Sequence, residues 1–528
     1  MTAASIEGSD PKLVKRNLFA LLVDVISYWV GAAFTDPMTV LQILLVRLGA
    51  TPAIIGGSIA LRFALQYGVM VFVAYVVHGK PKQKPFLVWA VGLSRLPMVA
   101  LPFVIYHSDT VGGKTIALWV TIGVLAFVGL GEGLGGVPWT EIVARAFDSK
   151  TRGRFFACAQ IAAGVLNILI AWQIVTKILG LSYPLNFTML IGLSALMFQI
   201  STLGLLLIME PPDHASRPAS PPRPPLREYL AELPKMISAD KTFARLVLIQ
   251  ILVNSGWAAL PYYAPFALSR FHLHENWGGT FQLLQAISVA LLMPVWVFLS
   301  EHRTPAAAVR GVALACTITP IIAITIGLRN PYYFSTVYLL TGGTLTAGGI
   351  WVVMQHFLLS HTEEDKRPKA IALLNLLNLP SAMFPLLGSA LVYTNAAGQM
   401  HFVLLFHRPL LWILVAIVSG IGFLCSLRLR LADECPHPMV TAADPMHSHS
   451  PAAAASLDAN GAFEGVSSTA PPVGALSGEA ADSGAPGSSN GTGGNGASPQ
   501  PADAESHSPA QPGPNRATAP ADAERDKA

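Results

Sequence analysis

The chain has 528 residues, 52% of them hydrophobic and 12% charged, with a formal net charge of +4 and a mean hydropathy of +0.51. An ordinary soluble domain carries about 25% charged residues, so this composition excludes a water-soluble globule and points to a membrane protein. Apolar runs such as "LWVTIGVLAFVGLGEGLGG" and "PLLWILVAIVSGIGFLCSL" are long enough to cross about 30 Å of hydrocarbon at roughly 1.5 Å per residue.

In chain order the sequence predicts twelve spans: 18–44, 53–78, 85–107, 115–139, 155–178, 187–209, 244–268, 279–300, 307–327, 332–358, 370–394 and 402–427. "MTAASIEGSDPKLVKRNL" has no small-residue cleavage site, so the first span is expected to be retained as an anchor. The fold class predicted is an all-α polytopic membrane protein with twelve transmembrane helices in two pseudo-symmetric six-helix halves. Residues 1–17 form a cytoplasmic N-terminus and 18–209 the N-terminal half. Residues 210–243 are a cytoplasmic linker, 244–430 the C-terminal half, and 431–528 a disordered cytoplasmic tail.

Charge in the connections sets the orientation. With the N-terminus cytoplasmic, the inner connections and ends hold 23 Lys and Arg, among them Lys80, Arg152, Arg227, Arg310 and Lys369. The opposite side holds 6, from Arg47 to Arg408. Both termini are therefore expected inside, at the plasma membrane. The linker carries 8 prolines, 7 of them ahead of "REYLAELPKM", which turns amphipathic. The tail is rich in Ala, Gly, Pro and Ser and has nothing to bury. It takes 12 of the 30 acidic residues but 3 of the 34 basic ones, leaving +13 on the membrane part. That surplus follows from the inner-loop bias and implies no nucleic-acid partner.

A repeat relates the two halves. "GLGGVPWTEIVARAFDSKTRGRFFA" and "TAGGIWVVMQHFLLSHTEEDKRPKAIA" each run from a Gly pair through a Trp-bearing apolar turn to an acidic, Lys, Arg cluster. Both copies fall between the fourth and fifth span of their half, as expected of a transporter whose halves rock. Twelve spans, the proline-rich central loop and "PWTEIVARAFDSKTRGRFFACAQIAAGVL" together resemble the major facilitator superfamily over about residues 1 to 430. The resemblance implies alternating access, a small-molecule solute and no catalytic chemistry. "VVHGKPKQKPFLV" keeps Gly79 and the basic residues of the family's usual signature and lacks its aspartate. Glu141 and Arg152 stand further apart than their counterparts in sugar-porter members. The Gly-Pro and Gly-Gly signature of drug-efflux members is missing from "FFACAQIAAGVLNILIAWQIV", which favours uptake or facilitated movement.

Ionisable groups in hydrocarbon cost at least about 2.5 to 3.5 kcal/mol at a span centre, so each needs a partner or a wet cavity. Asp24, Tyr28, Gly31 and Thr35 form one polar stripe in span one, with Asp36 and Pro37 at a kink. Asp24, Asp36, Arg62, Arg95 and Glu132 are the candidates for proton or charge handling. Tyr28, Asn254, Trp257, Gln282, Gln285, His356, Asn375 and Asn378 are the candidates for hydrogen-bonding a solute. A permanent bridge from Asp24 or Glu132 to Arg95, with the amides as packing glue, is the structural alternative. Glu141, Arg145, Asp148 and Arg152, echoed by Glu364, Asp365, Lys366 and Arg367, are the candidates for a cytoplasmic gate. If they gate, Arg152→Ala impairs transport and leaves insertion intact.

Gly131, Gly133 and Gly136 match G-x-G-x-x-G inside a span with no preceding strand, so close helix packing through Gly129 and Gly133, and through Gly131 and Gly135, is expected in place of a dinucleotide site. Cys158, Cys316, Cys425 and Cys435 show no pairing or metal spacing. No cofactor and no metal are expected, and the chain is expected to act as a monomer in the lipid bilayer, moving a solute with a proton as the candidate co-substrate. The alternative function is a transporter-like sensor or scaffold that binds a solute or partner without translocation.

Overall fold

Apolar segments this long pair every backbone group internally only as helices, and the chain obeys that rule. The computed structural model describes residues 11–77, 82–147, 149–210, 240–346, 349–362, 373–374, 376–395 and 400–429. The tail over 431–528, the linker over 211–239 and the second charge cluster, with Glu364, Asp365, Lys366 and Arg367, lie outside them. The N-terminal half contains α1 Pro11–Phe34, α2 Val40–Arg47, α3 Pro52–Val77, α4 Lys84–Arg95, α5 Pro97–Tyr106, α6 Gly113–Ala146, α7 Ser149–Ile170 and α8 Leu185–Leu207. A π turn over Ala171–Val175 extends α7 to Ile178. The C-terminal half contains α9 Lys241–Val253, α10 Leu260–Phe271, α11 Trp277–His302, α12 Pro305–Ile322, α13 Gly349–His361, α14 Phe384–Ser389 and α15 Leu410–Ser426.

Among the described residues, 10 helical stretches are long and apolar enough to cross a membrane. The eleventh predicted span is broken by a 3₁₀ turn over Leu379–Met383 before α14, and the twelfth is α15 with 17 residues. Two antiparallel hairpins, β1 Val392–Thr394 with β2 Met400–Phe402 and β3 Leu404–Leu405 with β4 Arg408–Pro409, join them. Span one differs from the single helix predicted. It stops at Phe34, because Pro37 lacks an N–H and disfavours helix at the preceding residue. Asp36 Oδ1 accepts from the Met38 N–H at 3.0 Å and the Thr39 hydroxyl at 2.8 Å, which shapes the turn before α2.

Side-chain bonds gather the loop ends onto two faces. On the terminal face Asn17 exchanges hydrogen bonds with the backbone of Met209, Lys84 donates to the Ile208 carbonyl at 2.7 Å, and Arg310 donates to the Leu429 carbonyl at 2.7 Å. Residues 47, 109, 183 and 275 belong to the connections of the opposite, far face. Between the faces, large apolar side chains turn outward: Trp89 is 75% exposed, and Phe103, Trp119 and Trp172 are also exposed. In water such a surface would aggregate, whereas lipid solvates it.

The glycines of α6 pack as predicted, in two alternating pairs. A Cβ at Gly129 or Gly133 would meet the Arg62 or Gln66 carbonyl of α3, at 2.6 and 2.5 Å. A Cβ at Gly131 would overlap the Ser94 side chain of α4, and one at Gly135 would meet Val91 at 2.6 Å. The missing side chains bring α3 and α4 close enough to α6 for the charges they carry to meet.

Candidate functional site

Burying a charge demands a partner, and the N-terminal half supplies one for each of four ionisable groups. Glu132 of α6 accepts from Arg62 Nη2 of α3 through both oxygens, at 3.0 and 3.1 Å. Tyr28 of α1 donates its hydroxyl to Glu132 Oε1 at 2.7 Å. The Arg95 guanidinium lies over the Tyr28 ring at 5.4 Å from its centroid. Arg95 also donates to the Ser201 hydroxyl at 2.8 Å, and Ser201 donates to Asp24 Oδ1 at 2.5 Å. Trp139 Nε1 completes the shell of Asp24 at 2.9 Å. One network thus runs from Arg62 through Glu132, Tyr28, Arg95 and Ser201 to Asp24.

That arrangement corrects two expectations. Glu132 is bridged to Arg62 and not to Arg95, and Asp24 reaches Arg95 through Ser201. Asp36 stands apart from the network, its carboxylate engaged in the turn ahead of α2. Arg95 is held where Pro97 interrupts the third span, since proline cannot continue the hydrogen bonds of the helix it enters.

The C-terminal half answers with amides at broken helices. The seventh span leaves α-helix at a 3₁₀ turn over Asn254–Ala258, and the eleventh does so at Leu379–Met383. Asn378 Oδ1 accepts from Gln250 at 2.6 Å and from Asn254 at 3.1 Å, so the two breaks are tied together. Unwound segments of paired helices near mid-membrane are where transporters of inverted-repeat type bind solutes. Trp257, within the first break, meets Phe63 of α3 edge to face at 5.0 Å, which brings the two halves into contact beside Arg62. Phe63 stacks in turn on Tyr67 at 6.0 Å.

Other predicted residues fall elsewhere. Gln282 donates to the Ala33 carbonyl at 2.6 Å, a bond across the halves, and Gln285 is buried with its Nε2 unpartnered. His356 pairs with Ser300 at 2.7 Å in a small pocket with Glu301, separate from the network. Glu141 and Arg145 form a pair at 2.9 Å within one turn of α6. Arg152 is half-buried in α7, and Asp148 and Asn375 lie outside the described residues. Sequence reasoning missed Ser201, Trp139, Tyr67, Gln250 and Ser381, because a hydroxyl, indole or amide in an apolar run carries no period that marks it.

On the far face a cavity of ≈ 860 Å³ lies between the halves, lined by Arg47, Asp109, Lys114, Tyr183, His274 and Glu275 among others. Glu275 accepts from Asn186 at 2.7 Å and faces Arg47 Nε at 3.3 Å, which latches the halves together. Burial pushes the Tyr183 hydroxyl above its ordinary range, so it stays protonated beside Ser108 at neutral pH. Tyr262 binds the Pro52 and Pro385 carbonyls at 3.2 and 2.7 Å below this latch. Arg47 is 53% exposed, so Arg47→Ala is expected to weaken far-face closure by about 0–1 kcal/mol. Loss of the charge-assisted Asn186 bond in Glu275→Ala is expected to weaken it by about 1.5–3 kcal/mol. Labelling rates of single cysteines lining the far cavity measure the difference.

Residues 55–60 of α3 are mostly buried, whereas every residue from Arg62 to Met70 is partly accessible.

The sequence profile described as the Major Facilitator Superfamily matches residues 18–385. No curated protein sequence matches the chain. Among solved structures the nucleoside transporter NupG is similar at TM-score 0.55 and 12% identity, covering 79% of this chain and 99% of that one. A D-xylose-proton symporter is similar at TM-score 0.55 and 14% identity over 78% and 97% of the two chains. The peptide transporter POT in complex with sulfate is similar at TM-score 0.54 and 15% identity over 79% and 94%. These likenesses agree with the fold built above from two halves closing around a charged interior, and the chain belongs to the Major Facilitator Superfamily of membrane transporters.

Proposed function

We propose that this protein takes up a small solute by rocking its halves about the central site, with a proton as the coupling ion. The observation that carries the reading is the asymmetry of the interior. One half holds a connected network of buried charges, and the other presents amides and Trp257 on unwound helices. An ion cluster serving only stability is not needed in such an interior, since hydrophobic replacement is often neutral or stabilising. The surplus of Lys and Arg in the connections of the terminal face supports cytoplasmic termini in a plasma membrane. One chain carries both halves, so a monomer suffices. Proton coupling in the D-xylose-proton symporter, a chain of the same fold, supports the same coupling here.

Purified protein in proteoliposomes tests this. Saturable counterflow of at least one member of a panel of organic acids, sugars, amino acids and nucleosides is expected, driven to accumulation by an inward proton gradient. Asp24→Asn or Glu132→Gln should abolish the gradient response while counterflow persists. Unchanged pH dependence in both variants removes the proton role, and binding without flux across the panel favours the sensor reading.

A further inference from the structure

Resting on that transport reading, we propose that the solute is an organic monoanion, a carboxylate borne on a flat and largely apolar body. The first observation is a mismatch in hydrogen bonding. Both oxygens of Glu132 have partners, in Tyr28 and Arg62, whereas Arg62 Nε–H is buried with no acceptor. An unmet donor on a buried guanidinium costs more than a neutral one, because the group remains charged in a medium of low dielectric. Guanidinium accepts a carboxylate side-on through two parallel N–H bonds. The spare capacity at the site is thus for an anion, and no described carboxylate has been left open for a cation there.

The second observation is what surrounds Arg62. Phe63 and Tyr67 on the same helix and Trp257 from the opposite half form an aromatic wall with ring centroids 6.0 and 5.0 Å apart. All three rings are partly accessible. Tyr67 lies near enough to Arg62 and Glu132 to feel both charges. A flat apolar body stacks there while its carboxylate meets Arg62, so one solute touches both halves at once.

Coupling follows from charge balance. When Glu132 takes up a proton it becomes a neutral acid and its hold on Arg62 weakens. The solute carboxylate then accepts from Arg62 in its place. Arg62 keeps its charge, the solute brings one negative charge and the proton one positive charge, so each cycle moves no net charge. The expected transport is an electroneutral symport of one proton with one monoanion.

Benzoate, benzamide and benzylamine share a ring and differ in charge, and they are the probes. Benzoate should raise the apparent melting temperature of the purified full chain by mass action, and the amide and amine should not. Arg62→Lys should weaken benzoate binding at least tenfold, since a single ammonium cannot offer two parallel donors. Glu132→Gln should tighten it several-fold by removing the competing carboxylate. In proteoliposomes, benzoate counterflow should ignore a potassium-valinomycin potential. Benzamide or benzylamine binding as well as benzoate, or no response to benzoate up to tens of millimolar, overturns the proposal. Benzoate binding without counterflow keeps the solute class and overturns the transport reading. Counterflow of a neutral or cationic solute that benzoate does not inhibit does the reverse. Should Arg62→Lys fail to fold, the wild-type ranking of the three probes still decides.

Discussion

Glu132→Ala is expected to destabilise the protein by about 3–5 kcal/mol, because removing one partner of a buried pair leaves the other charged and uncompensated. The side chains of Arg62 and Glu132 are 16% and 13% exposed, so solvent screens the loss little. Tyr28 loses its acceptor in the same variant, and its ring is the surface against which Arg95 is held. The damage should therefore spread toward Asp24. Replacing both partners with apolar residues, Arg62→Met with Glu132→Leu, should restore most of the stability and none of the transport. Thermal unfolding of the detergent-purified variants provides the check. A cost below about 1 kcal/mol in Glu132→Ala would mean that water already solvates Arg62, as at a surface pair.

Gly279→Val is expected to hold the far face open. Gly279 begins α11, and a Cβ there would lie 2.7 Å from both the backbone nitrogen and the Cα of Thr176, at the end of the fifth span. The obstacle is backbone and cannot rotate away. Overpacking of this kind costs about 2 kcal/mol. At about 1.4 kcal/mol per decade this shifts the closed-to-open ratio of the far face roughly 30-fold. The C-terminal half touches the N-terminal one here, so the strain falls on the closed state and spares the fold of each half. Expected results are faster maleimide labelling of Ser182→Cys in a cysteine-free background, normal insertion, and a transport rate reduced in proportion. Gly164→Val is the control, since a Cβ there meets nothing within 4 Å. Equal labelling in both variants would show that the contact at Thr176 yields without opening the face.

Two residue pairs show how far local reasoning reaches. Asn254 and Trp257, three apart, were legible as one helix face. The structure puts them on a 3₁₀ turn, where residues three apart still share a face but the α-type bonds are lost, a break that the spacing does not reveal. Glu141 and Arg145, four apart, are legible from spacing alone: helical geometry brings them together within α6 at 2.9 Å. At the other membrane face Arg47, Asn186 and Glu275 join the halves. Their sequence separations of 89 for Asn186 to Glu275 leave no local period to detect.

The sequence by itself determined that this chain lives in lipid and that it crosses it many times. Those properties depend on composition and length, because hydrocarbon admits long apolar helices and little else. It also determined which charges needed an explanation, since Asp24, Arg62, Arg95 and Glu132 stand alone in apolar runs. Only the tertiary structure decided who partners whom. Arg62 meets Glu132 because Gly129 and Gly133 let α6 approach α3, and Asp24 meets Arg95 only through Ser201, contributed by a helix more than a hundred residues later in the chain. An ion pair in lipid is chosen by the shortest approach between helices, and that distance is set by packing of small residues across the bundle.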